Sequence, residues 1–207
     1  MSTPTKLLVA TGNPGKLREL AGLFADVPFE LVSLSDVGIN DEVPETGATF
    51  EDNAMLKAVG YAAMSGMWTI ADDSGLEVKA LGGEPGVQSA RYAGEGATDA
   101  QRIALLLQNL ENIREGERQA RFRCVMALVR PGTAPQLFHG ECRGLIARSP
   151  RGSAGFGYDP VFLLPELGRT MAELDDGEKA AVSHRGLAAK AAAATLRDLG
   201  VHDWAKE

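Results

Sequence analysis

The chain has 207 residues, 44% of them hydrophobic and 24% charged, with a formal net charge of −7. This is the composition of a soluble globular protein, long enough to bury a core within one domain. The acidic balance argues against general nucleic-acid binding, which runs on Lys and Arg neutralising phosphates.

No apolar run approaches the ~20 residues that span a bilayer, so no membrane role is expected. The start, MSTPTK, lacks the apolar stretch of a secretory signal. Cys124 and Cys142 fall outside any CxxC pattern. That points away from zinc and toward a reduced, cytoplasmic setting.

KLLVA, residues 6–10, predicts a short buried strand, followed by a helix capped by Asn13 with Pro14 in its first turn. FELVSL (29–34) predicts a second strand, and Thr49 with Asp52 predicts the start of another helix. WTIADDSGLEV (68–78) predicts a strand that breaks at an acidic turn. Thr98 and Gln101 make a capping box ahead of RIALLLQNLENI. ARFRCVMALVR (120–130) and PQLFHGECRGLIA (135–147) predict two strands paired through the PGTAP turn. A Gly-rich segment (149–160) interrupts the pattern, and an Ala-rich helix closes the chain from about Ser183 to Leu199. Strands and helices mix without strict alternation, which predicts a single α/β or α+β domain with a mixed sheet.

The turn after the first strand resembles a phosphate loop, but Gly12 to Gly15-Lys16 is two residues too short for GxxxxGK[ST], and Leu17 stands where a magnesium-binding Ser or Thr belongs. Free N–H groups at a helix start, the helix dipole and Lys16 would still favour an anion. The plainer alternative is a Pro/Gly-shaped helix start with a solvated lysine. The adjacent acids Asp72 and Asp73 face opposite sides of a strand and cannot share one apolar layer. A carboxylate there can hold Mg²⁺ or orient water, and Glu45 can reach a second metal position. In GFGYDP, Phe156 and Tyr158 either sandwich a planar base or plug the core. In SHRG, Ser183 reads as an N-cap, and the cations His184 and Arg185 oppose the helix dipole, a local cost that hints at function.

Taken in order, TGNPGKLREL, ETGATFEDNA, ADDSGLEV, GGEPGVQSARYAG, GFGYDPVF and EKAAVSHRG resemble the inosine/xanthosine triphosphate pyrophosphatases, over about Lys6 to Leu199. The resemblance implies hydrolysis of ITP, dITP and XTP to monophosphate and pyrophosphate, with Mg²⁺ and as a homodimer. It implies one elongated α/β domain over residues 1–207, with a strongly twisted mixed sheet flanked by helices and two lobes around a central nucleotide cleft.

The loop Thr11, Gly12, Asn13, Pro14, Gly15 and Lys16 would bind substrate, with Thr11, Asn13 and Lys16 on the triphosphate. Asp73 would be general base and metal ligand, Glu45 a second metal ligand, and Ser74 would touch substrate. Phe156, Gly157, Tyr158, Asp159, Lys179, His184 and Arg185 would line the base pocket. Tyr158 stands where some relatives carry Trp, and Pro14 at a position that varies. Two other readings stay open: a pyrophosphatase for another modified or pyrimidine nucleotide, and a nucleotide sensor without chemistry.

Overall fold

In the computed structural model the described residues are 4–201. Seven strands form one mixed sheet in the order β2-β1-β3-β4-β5-β6-β7. The strands are β1 Lys6–Val9, β2 Glu30–Ser33, β3 Trp68–Val78, β4 Gln119–Val129, β5 Gln136–Ile146, β6 Phe162–Leu164 and β7 Arg169–Thr170. The helices are α1 Pro14–Leu23, α2 Phe50–Ser65, α3 Asp99–Asn109, α4 Asp176–Val182 and α5 His184–Val201. β1 pairs in parallel with β2 and β3, whereas β6 runs antiparallel to β5 and β7. The fold class is therefore α/β with a mixed sheet, as expected. β6, β7 and α4 have no counterpart in the sequence reading; they are only three, two and seven residues long.

The chain gathers into two compact units. The first holds the described residues up to Asp73, Cys124–Gly140, and those from Arg185 on; the second holds Ser74–Arg123 and Glu141–His184. In the first unit, Leu7 and Val9 of β1, Ile70 of β3, and Met126 and Leu128 of β4 form a core with Leu20 and Phe24 of α1. Ala188, Ala189, Ala192 and Ala193 complete it. These small residues repeat at helical spacing, so α5 buries a stripe without bulk, and Ala is the strongest helix former. In the second unit, Leu76 and Val78 pack with Ile103, Leu106 and Leu110 of α3 and with Phe122 and Phe162.

Local chemistry sets the helix starts. Asn13 Oδ1 accepts the N–H groups of Gly15 and Lys16. Thr49 Oγ1 accepts that of Asp52, and Thr98 with Gln101 forms a full capping box. Ser183 is an extended residue at the end of α4, directly before α5 begins at His184.

The expected break in β3 does not occur: the strand runs unbroken through Ala71–Gly75. A break would follow only if the two carboxylates had to reach water. Each instead meets cations or an amide inside the first unit, as described below.

Arg118 in the second unit is 1% exposed and bonds only to carbonyls in the contacts that define its guanidinium: Ile146 O at 2.8 Å, Leu110 O at 2.7 Å and Ala147 O at 3.1 Å. It ties the end of α3 to the end of β5. Arg118→Met keeps the apolar stem and removes all three donors. Burying the carbonyls without them is expected to cost about 2–4 kcal/mol. The check is the urea midpoint of unfolding, and a loss below about 1 kcal/mol would contradict the assignment.

Candidate active site

Asp72 and Asp73 sit side by side in β3, 2% and 6% exposed. Strand alternation sends them to opposite sides. Asp72 Oδ2 meets Lys16 Nζ of α1 at 3.0 Å, and Arg185 of α5 through Nε at 3.3 Å and Nη2 at 3.4 Å. Arg185 Nη1 donates to Glu19 at 2.6 Å. Burial alone would raise the Asp72 pKa, but Lys16, Arg185 and Lys57 together hold it well below the usual carboxylate range. Asp72 is thus a buried anion at the centre of a cation cluster. The Cys124 thiol lies 3.9 Å from it, and burial pushes that thiol up to about 12.

Asp73 faces α2. Its Oδ2 accepts from Asn53 Nδ2 at 3.0 Å, and its Oδ1 lies 3.8 Å from Lys57 Nζ. Lys57 Nζ donates to Glu45 at 2.6 Å. Asn53 Oδ1 in turn accepts the N–H of Gly47, two residues beyond Glu45, at 2.8 Å. One buried amide therefore clasps both the loop carrying Glu45 and the carboxylate of Asp73. A Cβ on Gly47 would collide with Asp52 and Asn53, so only glycine permits this approach. Burial raises the Asp73 pKa; Lys57 and Lys16 oppose the shift, and Glu45 adds to it.

Glu45 and Asp73 thus converge on one ammonium group. Their hard oxygen donors around a positive charge suit Mg²⁺, which takes one or two carboxylates and completes its shell with water and phosphate oxygens. Among the described residues, no three His, Cys, Asp or Glu side chains gather as a metal cage.

The N–H groups of Gly15 and Lys16 are engaged by Asn13 Oδ1, and Pro14 has none. The expectation of free donors at the start of α1 therefore gives way to a self-capped turn. Thr11 Oγ1 accepts from the Asn13 N–H at 3.2 Å, while Gly12, Asn13 and Pro14 are exposed. Lys16 is the charged group of this loop.

In the second unit, Asp159 Oδ2 accepts the N–H of Phe156 at 3.0 Å and Lys179 Nζ at 2.5 Å. That ammonium lies 5.0 Å from the centre of the Phe156 ring. Gly155, at φ 74°, leaves no room for a Cβ beside Asp159 and Lys179. Phe156, Asp159 and Lys179 are therefore one locked group. Tyr158 is a core side chain, 4% exposed, with its hydroxyl donating to the Ser89 carbonyl at 2.9 Å. It does not offer a ring for stacking, which leaves Phe156 as the half-buried aromatic of the loop. His184 stacks on Phe122, with centroids 4.6 Å apart and planes at 14°. Ser74 is half-buried in β3. Arg185 belongs to the first unit, with Asp72 and Glu19 as partners.

Sequence reasoning missed Asn53, Lys57 and Glu19. A signal for two of them exists: Asn53 and Lys57 lie four apart on the inward stripe Phe50, Ala54, Ala58, Tyr61 of α2. A polar residue on an apolar stripe needs a buried partner.

The buried Asp72 sets a pH dependence of stability. Its folded pKa lies below the unfolded one, so its contribution is present above about pH 4 and is lost as pH falls toward the folded value. Asp72→Asn strands buried cations and is expected to cost about 3 kcal/mol or more at pH 7. The variant should also lose less stability than wild type between about pH 5 and pH 3, read as thermal midpoint against pH. Parallel curves would contradict this role.

With the geometry established, comparisons with known proteins place the chain. The Ham1 family model matches residues 7–195. The chain is 51% identical over 195 residues to the dITP/XTP pyrophosphatase of Photorhabdus laumondii subsp. laumondii, covering 93% of this chain and 98% of that protein. It is 47% identical, over the same shares, to the dITP/XTP pyrophosphatase of Escherichia coli strain K12. The solved structure of a HAM1 protein from Coxiella burnetii is 43% identical with a TM-score of 0.85, covering 94% of this chain and 99% of that one. The dITP/XTP pyrophosphatase structure from Mycobacterium abscessus is 49% identical with a TM-score of 0.74, covering 93% and 99%. The chain belongs to the Ham1 family.

Proposed function

We propose that this protein is a hydrolase of phosphoric anhydrides that converts ITP, dITP and XTP to the monophosphate and pyrophosphate. It thereby removes deaminated purine nucleotides from the pool used for DNA and RNA synthesis, in the cytoplasm. The observation that carries this reading is the convergence of Asp73 and Glu45 on Lys57, clasped by Asn53. The names of its half-identical relatives supply the substrate class.

In this reading Lys16, with Thr11 and Asn13, binds the triphosphate, and Lys57 adds a second cation. Glu45 and Asp73 would hold Mg²⁺, which when bound neutralises phosphate charge and lowers the pKa of bound water. Asp73 orients the attacking water toward the α-phosphorus and accepts its proton. A carboxylate of ordinary pKa near 4 is a weak base. Burial raises that of Asp73 in the protein alone, and with Mg²⁺ held there the lowered pKa of the water would make its deprotonation possible. Asn53 holds the carboxylate in place, and Asp72 keeps Lys16 positioned without joining the chemistry.

Base selection rests on the 6-oxo group of hypoxanthine and xanthine, an acceptor where adenine presents a donor. Lys179, Arg185 and the backbone of residues 156–159 carry donors able to meet it. Arg185 enters this role only by releasing part of its hold on Asp72 or Glu19. Facing adenine, a buried donor left unmatched costs roughly 1–3 kcal/mol. Phe156 supplies the stacking face. An enzyme rather than a sensor is favoured because a sensor has no use for a clasped, pKa-raised carboxylate. A pyrimidine or other modified nucleotide is the alternative substrate that the assay below separates.

The homodimer is proposed to form on the exposed apolar side of α2, where Leu56, Val59 and Met64 are 40%, 46% and 51% exposed. Among the described residues no helix is long and apolar enough to cross a membrane.

Two tests follow from this reading. With Mg²⁺ present, ITP and XTP should yield pyrophosphate far faster than ATP, GTP or dUTP, and Asp73→Asn should lower kcat by about 10²–10⁴ with KM little changed. Orthophosphate as first product, or an unaffected variant, would contradict the mechanism. Val59→Glu combined with Met64→Glu should turn a dimer into a monomer in light scattering; a monomeric wild type would contradict the interface.

A further inference from the structure

The loop that carries Phe156 is held at its centre by a residue far away in the chain. The N–H of Gly157 donates to Asp99 Oδ2 at 2.7 Å, across 58 residues. Asp99 is the first residue of α3, just after the capping residue Thr98. Its other oxygen pairs with Arg102, one turn along the same helix. Arg102 also donates through Nη1 to the carbonyls of Ala97 and, at 3.0 Å, of Ala90. The carboxylate is thus fixed from behind and offers its second oxygen to the loop.

Gly157 has φ 62°, a left-handed turn conformation. Its neighbours are each tied elsewhere: Phe156 N–H to Asp159, and Tyr158 Oη to the Ser89 carbonyl. Ser89 accepts the N–H of Leu76 in β3 and donates to the carbonyl of Gly86. Ser89 and Tyr158 secure the far side of the turn. The Gly157–Asp99 bond acts at its apex, between Phe156 and Tyr158. An ionised acceptor makes this the strongest kind of backbone hydrogen bond.

We propose that Asp99, braced by Arg102, is a positioning residue for base recognition: it sets the Gly157 turn and thereby the orientation of the Phe156 ring and of the Asp159–Lys179 pair. The inference rests on the reading of this loop as the base-recognition segment. It accounts for a charged residue at the head of α3 that has one partner, Gly157, outside the helix. A carboxylate at a helix N-terminus is favourable in itself, but helix capping does not require a bond to Gly157.

The test uses the two reaction products as separate probes. Inosine monophosphate reports on the base segment, and inorganic pyrophosphate on the loop of Lys16. In Asp99→Ala, KM for ITP and the inhibition constant of inosine monophosphate should both rise about tenfold, as for loss of one charge-assisted hydrogen bond. The kcat should stay within about twofold, and the inhibition constant of pyrophosphate should not move. Asp99→Asn keeps an oxygen for Gly157 and loses the charge, so it should recover most of the affinity, with a loss of about threefold remaining.

If Asp99→Ala does not fold, that threefold loss for inosine monophosphate alone carries the test. Equal weakening of both probes, or wild-type binding of both, overturns the inference and leaves the proposed reaction standing. A wild-type protein that hydrolyses ITP but is indifferent to the base overturns the base-recognition reading and this inference with it.

Discussion

Asp72 and Asp73 occupy consecutive positions in β3, and both are withdrawn from water. Two adjacent carboxylates in low dielectric are tolerable only where opposite charge or hydrogen-bond donors reach each one. The first unit is arranged to supply them. α1 brings Lys16, α5 brings Arg185, and α2 brings Asn53 and Lys57. The Ala stripe of α5 lets that helix sit close in the core. The charged residue at its start, costly against the helix dipole, is matched by Asp72 and Glu19.

The two acids end with different characters. Asp72, surrounded by cations, is held ionised and is spent on structure. Asp73 has its pKa raised by burial and faces a lysine shared with a second carboxylate. Neighbouring carboxylates with opposite shifts mark a candidate site. In the second unit, backbone geometry and one buried ion pair act together. Glycines at 155 and 157, a buried tyrosine and the Asp159–Lys179 pair fix one short loop and one aromatic ring.

Much of this was legible in the residues. Caps at Asn13, Thr49 and Thr98 marked three helix starts because capping is local chemistry. The α/β class and the placing of β4 beside β5 were readable from the mix of apolar segments and the PGTAP turn. Three things were not. The continuity of β3 depends on cations from three separate helices, which no window around residue 72 contains. The partners of Arg185, Asp72 and Glu19, lie 113 and 166 residues away in the chain. The residues left Tyr158 open between a stacking ring and a core plug, because its partner, the Ser89 carbonyl, lies 69 residues away. Asn53 and Lys57 were visible in principle as polar residues on a buried stripe.

The central claim is that water attacks the α-phosphorus of ITP. The most direct measurement is to let the enzyme hydrolyse ITP in water enriched in heavy oxygen and to locate the label by mass spectrometry. The account predicts label in inosine monophosphate and none in pyrophosphate. Label in the pyrophosphate would place the attack on the β-phosphorus and contradict it.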